Sequence, residues 1–203
     1  MRRTKAEAAL TRQAILRSAL AVFSTRGYAA ARLEDVARMA GVTRGAIYWH
    51  FHGKPELFQA LLETYSARVH EVVSASIDQA ENFTEVIGGV FSGLLGAIET
   101  DRSLQAVLEL SLFKTEGLAE LRTVQRRQAE AAESLLQILA GVLRRAAASG
   151  DLRTGVPPEL AARALLGLLN GVVQQWLLSP RSFSLQDTAP WLSRMFLDGF
   201  ARH

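Results

Sequence analysis

Residues 41–57 read GVTRGAIYWHFHGKPEL, and the folding of this stretch decides the rest of the chain. Tyr48, Trp49, His50 and Phe51 stand in a row. A helix buries one face only, so four adjacent rings cannot all be core, and some of them point outward. The flanking residues set the local structure. Gly41 suits a tight turn, and Thr43 is a good N-cap because its hydroxyl accepts a backbone N–H left free in the first helical turn. A short helix from there to His50 or Phe51 puts Ile47 and Phe51, four apart, on one inward side. Upstream, a second short helix fits Leu33–Ala40, with Val36, Ala37 and Ala40 inward.

Two short helices joined by a glycine turn have the size and punctuation of a helix-turn-helix. The second helix of such a unit enters the major groove of DNA and reads base edges with its N-terminal residues, here Thr43, Arg44 and Gly45. Arginine donates two hydrogen bonds to the acceptor pair on guanine, and Ala46 is placed to touch a thymine methyl. Gly45 lets the backbone approach closely. Tyr48, His50 and Lys54 bring polar tips to the far end of the helix, where contacts to phosphate would fix the register. Trp49 fits either a DNA contact, which we favour, or packing against the first helix. A metal pair of His50 and His52 is set aside, since the chain has no cysteine and no carboxylate stands out beside the pair. No metal site is expected.

Charge points the same way. Residues 1–54 hold ten Lys/Arg and three acids, a net of +7, whereas the remaining 149 residues hold 13 and 17, a net of −4. A positive first quarter on a mildly negative body is the footprint of a polyanion-binding module attached to something else. A solvated basic face would give the same count. Arg2, Arg3 and Lys5 form a basic arm that fits phosphate or minor-groove contacts, or a solvated tail.

Working outward, helical spacing dominates and no stretch alternates like a strand, so the fold class is all-α. Helices are expected over about 5–25, closed by Gly27, then from Lys54 to Gln79, with Pro55 in a first turn that needs no N–H donor. Further helices fit 84–99, Arg102–Phe113, about 118–148, Pro158–Leu178 and Leu185–Phe200, about nine in all. The chain has 203 residues, 49% of them hydrophobic, enough for one large or two small domains. The expected division is a DNA-binding domain over 1–54 and a larger domain over 55–203. Without cysteine, disulfides, zinc–thiolate sites and thiol catalysis are excluded. No nucleophile–base pair or metal cluster stands out, so neither an enzyme nor a cofactor is expected. No uninterrupted apolar run approaches the roughly 20 residues of a membrane span, and no signal-peptide core follows the basic N-terminus. The expectation is a cytoplasmic protein with no membrane partner.

At this point the stretch LTRQAILRSALAVFSTRGYAAARLEDVARMAGVTRGAIYWHFHGKPELFQAL, residues 10–61, resembles the N-terminal domain of TetR-type (tetracycline-repressor-like) bacterial transcriptional regulators. Its TRGAIYWHF core is most similar to the branch that represses multidrug efflux pumps. The resemblance implies a homodimer whose recognition helices occupy successive major grooves of a palindromic, double-stranded operator. On matching positions it implies base contacts from Arg44 and Gly45, and phosphate contacts from Thr43, Tyr48, Trp49, His50 and Lys54. One departure stands out. The helix before the turn usually opens on Thr or Ser, but here Ala31 and Arg32 precede Leu33. The cap is weaker, and Arg32 is the candidate to take over the phosphate contact.

The larger domain has two jobs to fill, pairing and ligand binding. The segment Pro158–Leu178 is apolar nearly all round, as a helix buried on both faces would be. Leu165, Leu168, Val172 and Trp176 make one stripe, proposed to pair with a second subunit alongside Trp191, Leu192, Met195, Phe196 and Phe200 of the last helix. Leu166, Leu169, Asn170 and Val173 make the other stripe, expected to face into the domain. The resemblance implies that the same two C-terminal helices form a four-helix dimer interface. Carried over by position, it also implies a pocket of Tyr65, Val86, Ile87, Val90, Leu108, Leu112, Leu135, Leu139, Leu166 and Asn170. Such a lining suits a hydrophobic or aromatic small-molecule inducer, with Asn170 and the Tyr65 hydroxyl as its polar anchors. Ordinary core is the other reading of each leucine, and Glu109 is expected to be solvated or paired. The expected function is a ligand-released repressor that controls an efflux pump. A TetR-type activator or metabolic regulator, or a non-specific basic nucleic-acid binder, would share most of these features.

Overall fold

The computed structural model describes residues 5–113, 119–179 and 182–202, with the side chains of residues 113 and 119 left out. Arg2, Arg3 and the expected helix start at Leu118 lie outside the described residues. Among the described residues there are nine α-helices: α1 (Lys5–Ala30), α2 (Leu33–Ala40), α3 (Arg44–His50), α4 (Lys54–Gln79), α5 (Phe83–Thr100), α6 (Arg102–Phe113), α7 (Arg122–Ser149), α8 (Pro158–Leu178) and α9 (Leu185–Phe200). A short 3-10 turn, Ala119–Leu121, precedes α7. The sole strand-like feature described is an isolated antiparallel bridge between Leu152 and Ala201.

The elements begin and end where local chemistry dictates. Thr43 caps α3, its hydroxyl accepting from the Ala46 N–H at 3.2 Å. Gly41 closes α2 at φ 66°, a left-handed conformation that costs a Cβ-bearing residue and not glycine. Arg32, at the N-cap of α2, has extended backbone and makes no capping hydrogen bond from its side chain, as the Ala31-Arg32 departure implied. Gly27 breaks α1 at φ 72°, and helical hydrogen bonding then resumes through Ala30. Asn82 caps α5 by accepting from the Glu85 N–H at 3.0 Å, which starts that helix one residue before the expected 84.

Two compact units divide the chain. The first runs up to Tyr65 and includes the described part of 106–128; the second holds 66–105 and 129 onward. The packing boundary therefore differs from the expected division at 54/55, because α4, α6 and α7 each contribute to both units. In the first unit, Ile15, Phe23, Val36, Ile47, Phe51 and Phe58 form the centre of a buried cluster joined by Leu110, Leu121 and Val124. Its aromatic heart is Phe23, Tyr28 and Phe58, with ring centroids 5.1–5.9 Å apart in tilted and edge-on pairs.

In the second unit α5 packs along α9, and both contact α8. By length and composition α5 is apolar enough to cross a membrane, although no uninterrupted apolar run marks it in the sequence. Its apolar positions, among them Val90, Phe91, Leu94 and Leu95, are buried, the pattern of a core helix. The N-terminus of α9 is held by one carboxylate from the end of α5. Glu99 accepts from the Gln186 N–H at 2.7 Å, the Leu185 N–H at 3.1 Å and the Ser184 hydroxyl at 3.3 Å. A negative charge at a helix N-terminus satisfies free N–H groups and complements the helix dipole. The other end of α9 is tied by Arg153, whose N–H donates to the Phe200 carbonyl and whose guanidinium donates to the Asp198 carbonyl.

Candidate nucleic-acid interface and effector site

Helix α3 separates scaffold from surface as its spacing requires. Ile47 and Phe51 are buried, while Thr43, Arg44, Gly45, Tyr48 and Trp49 are exposed. Trp49 is 72% exposed, so it does not pack against α1. The His50 ring is half-buried and lies edge-on to Trp49, with ring centroids 4.5 Å apart. Arg44 and Tyr48, one turn apart, work as a pair: the guanidinium donates to the Tyr48 hydroxyl at 3.1 Å and lies 5.5 Å from the ring centroid. Its other edge meets Glu34 of α2 at 2.6 Å. The Tyr48 hydroxyl and the Glu34 carboxylate both favour the charged guanidinium and push its pKa further up. Arg32 is exposed.

Lys54 departs from expectation. Its ammonium donates to the carbonyls of Tyr28, Ala29 and Ala31 at 3.1, 3.3 and 3.4 Å and lies 4.4 Å from the Tyr28 ring centroid. The cation expected on a phosphate instead caps the carbonyl end of α1. Burial, assisted by the Glu120 carboxylate, raises the Tyr28 hydroxyl well above its ordinary value. The premise about the histidines also needs correcting. A carboxylate does stand beside His52, since Glu56 accepts from its backbone N–H at 2.9 Å and lies 2.7 Å from Nδ1. Those bonds to His52 hold the Glu56 carboxyl below its usual range. Among the described residues no three His, Cys, Asp or Glu side chains gather as a metal site.

Sequence reasoning also missed how the basic head is braced. Asp35 accepts from both Arg26 and Arg38, tying the end of α1 to α2. Arg12 lies over the Phe51 ring at 5.0 Å. The net +7 of residues 1–54 is therefore not a field of free cations; several are spent on the scaffold. No periodicity signals the Arg26–Asp35 and Arg12–Phe51 contacts, because their partners sit on different elements; Arg38 and Asp35 lie three apart on α2.

The expected dimer face is corrected in part. Leu165, Trp176 and Phe196 are buried inside the subunit, as is Leu192, so none of them is available to a partner. Trp191 and Met195 are 66% and 63% exposed, Leu168 and Val172 are half-buried, and Leu160 and Leu178 add further exposed apolar surface to α8. The faces of α8 divide differently from the two expected stripes. Its buried stripe is Ala161, Leu165, Leu169, Val173 and Trp176, which takes residues from both expected faces.

The effector lining is likewise redistributed. Tyr65, Leu108 and Leu112 belong to the first unit and the other seven to the second. Val86, Ile87, Val90 and Leu139 are buried, and Leu135 and Leu166 are half-buried. Asn170 is exposed and Leu112 is 41% exposed, so neither lines an apolar interior. Tyr65 is largely shielded, and burial pushes its hydroxyl up to about 12. Glu109 is exposed, as expected. A separate open groove of about 690 Å³ runs between α4 and α5 in the second unit, lined by small and polar residues such as Ser76, Gly89, Ser92 and Gly93.

Residues 15–61 match the family model described as bacterial regulatory proteins of the tetR family, and residues 82–201 match that of the MAATS-type transcriptional repressor C-terminal region. The chain belongs to the TetR family of transcriptional regulators. It is 35% identical over 187 residues to the HTH-type transcriptional repressor BepR of Brucella suis, covering 91% of this chain and 89% of BepR. Its fold superposes on NalD of Pseudomonas aeruginosa, the secondary repressor of the MexAB-OprM multidrug efflux pump, with a TM-score of 0.83 and 28% identity over 98% of this chain and 99% of NalD. It superposes equally on SmeT in complex with triclosan, SmeT being the repressor of the Stenotrophomonas maltophilia efflux pump SmeDEF. That TM-score is 0.82 at 28% identity, over 95% of this chain and 92% of SmeT. The TetR family consists of regulators, not enzymes, and α2–Gly41–α3 is this chain's helix-turn-helix.

Proposed function

We propose that this TetR-family protein is a cytoplasmic repressor that binds a palindromic operator as a homodimer, releases it on binding a hydrophobic or aromatic small molecule, and so controls an efflux pump. The observation that carries the reading is the outward face of α3, where Arg44, Tyr48 and Trp49 stand exposed on a helix whose opposite side is locked into core. Thr43, Gly45, His50 and Arg32 complete the proposed contact set, with Arg44 and Gly45 on bases and the others on phosphates. Lys54 supports that set indirectly, by fixing the end of α1. The partner subunit is proposed to cover Leu160, Leu168, Val172 and Leu178 of α8 with Trp191 and Met195 of α9, an apolar surface that suits a symmetric contact.

The effector's proposed place is the apolar interior of the second unit, around Val86, Ile87, Val90, Leu135, Leu139 and Leu166. A ligand releases DNA only if it binds one dimer conformation better than the other. Helix α4 is continuous from Lys54 to Gln79, and a tilt of it would change the separation of the two recognition helices. Half-sites are set by the helical repeat of DNA, roughly 34–36 Å apart, so a mismatch of a few ångströms weakens binding.

The test is binding to the DNA upstream of the protein's own gene at two salt concentrations, with Arg44→Ala and Tyr48→Ala alongside. Sequence-selective binding that competitor DNA does not displace, lost in both variants, supports the reading. Salt-sensitive binding without sequence preference would return the protein to the class of general polyanion binders. A ligand titration that saturates without changing operator affinity would remove the inducer from the mechanism.

A further inference from the structure

The side chain proposed to read a base is already engaged in the free protein. Arg44 presents one guanidinium nitrogen to Glu34 at 2.6 Å and the other to the Tyr48 hydroxyl at 3.1 Å. Glu34 lies in the first turn of α2 beside Asp35, and the two carboxylates do different work. Asp35, mostly buried, braces Arg26 and Arg38, whereas Glu34 is half-exposed and faces the reading arginine. For plain affinity such a carboxylate is a liability, because it stands on a surface meant for phosphates and repels them.

We propose that Glu34 restrains operator affinity: its ion pair competes with DNA for Arg44, so that the guanine contact is made only by releasing the pair. This rests on the regulator reading above. A free arginine on the groove face would take any phosphate or acceptor within reach and so strengthen binding to every sequence. With Glu34 in place, leaving the ion pair costs something wherever Arg44 is used. The bidentate contact to guanine O6 and N7 recovers that cost. A non-cognate complex either keeps the Arg44–Glu34 pair and forgoes the contact, or breaks the pair and leaves a carboxylate facing DNA. Glu34 thus acts through Arg44 and touches no base itself.

The experiment is selection of bound duplexes from a pool of random sequence. Wild type, Glu34→Gln, Arg44→Ala and the double variant are compared as full-length proteins, with affinities for the selected and a scrambled duplex measured afterwards. Melting temperatures check that each variant folds; loss of an exposed ion pair should leave them nearly unchanged. The expected result is tighter binding of the selected duplex by Glu34→Gln, by about two- to fivefold, with the scrambled duplex strengthened less. The gain should fall on the guanine lost in Arg44→Ala, and in the Arg44→Ala background Glu34→Gln should leave the ratio of selected to scrambled affinity unchanged. Equal strengthening of both duplexes by Glu34→Gln, or the same gain with Arg44 absent, overturns the proposal and leaves Glu34 as a general phosphate repellent. If wild type enriches no sequence, the regulator reading falls and this proposal falls with it.

Discussion

Replacing Lys54 with methionine separates two roles that a basic residue at the start of α4 can play. Methionine keeps the length of the stem and removes the ammonium. In the structure that ammonium is shared by three carbonyls, at 3.1, 3.3 and 3.4 Å, and lies 4.4 Å from the Tyr28 ring centroid. Hydrogen bonds to a charged donor contribute about 1.5–3 kcal/mol. Because Lys54 is only half-buried, water can reach part of the vacated space, and the lower end applies. The cation–π contact adds about 0.5–1 kcal/mol at a partly solvated site. The expected loss is therefore about 2 kcal/mol, which in a chain of this size lowers Tm by about 4–8 °C. Circular dichroism melts at fixed chain concentration, so that association does not move Tm, would read it. A Tm within about 1 °C of wild type, together with weaker DNA binding and a salt slope reduced by about one unit, would refute the capping argument and return Lys54 to the phosphates.

Three further expectations follow from packing, burial and exposure. At Gly93 an added Cβ would lie 2.7 Å from Val72 Cγ1. Overpacking there costs about 1–3 kcal/mol against a helix-propensity gain of about 1, so Gly93→Ala should lower Tm and Val72→Ala in the same chain should recover most of it. A rise in Tm for Gly93→Ala alone would contradict the close approach of α4 to α5. The Tyr65 hydroxyl, raised to about 12 by burial, stays neutral in the folded protein above the unfolded value of about 10. Its contribution is full below pH 10 and is lost as pH rises from 10 towards 12, so Tyr65→Phe should flatten the fall of stability in that window in urea titrations. Identical alkaline slopes would mean the hydroxyl is not shielded. Trp191→Glu should dissociate the proposed dimer in sedimentation experiments with helicity intact, whereas Trp176→Ala should unfold the subunit more readily, by roughly 3–5 kcal/mol. An intact dimer in Trp191→Glu would move the interface elsewhere.

Which features were legible in the sequence depends on how far away their causes lie. The α2–α3 unit was readable to the residue, because Gly41 and Thr43 act within one turn of themselves. The bounds of α8 and α9 were readable for the same reason, from Pro158 and from Ser184, whose hydroxyl accepts from the Asp187 N–H. The faces of α8 were not. A helix apolar nearly all round offers several stripes, and only packing against α5 and α9 decides that Leu165 and Trp176 go inward while Leu168 and Val172 do not. The role of Lys54 was hidden because its carbonyl partners lie 23–26 residues upstream. The role of Glu34 is not legible either, because helices commonly carry an acid in the first turn and its partner Arg44 lies on the next helix.

The lock that Glu99 places on α9 also bears on how the protein is made. Its serine partner lies 85 residues further along the chain. At roughly 5–20 residues per second, the ribosome needs on the order of 4–17 s to supply that partner after α5 is complete. Throughout that interval the flank of α5 that will meet Phe196 stays uncovered, on a helix as apolar as a membrane span. Nascent chains of this regulator therefore carry a sticky stretch for several seconds, and chaperone capture or premature association during synthesis should concentrate on residues 83–100.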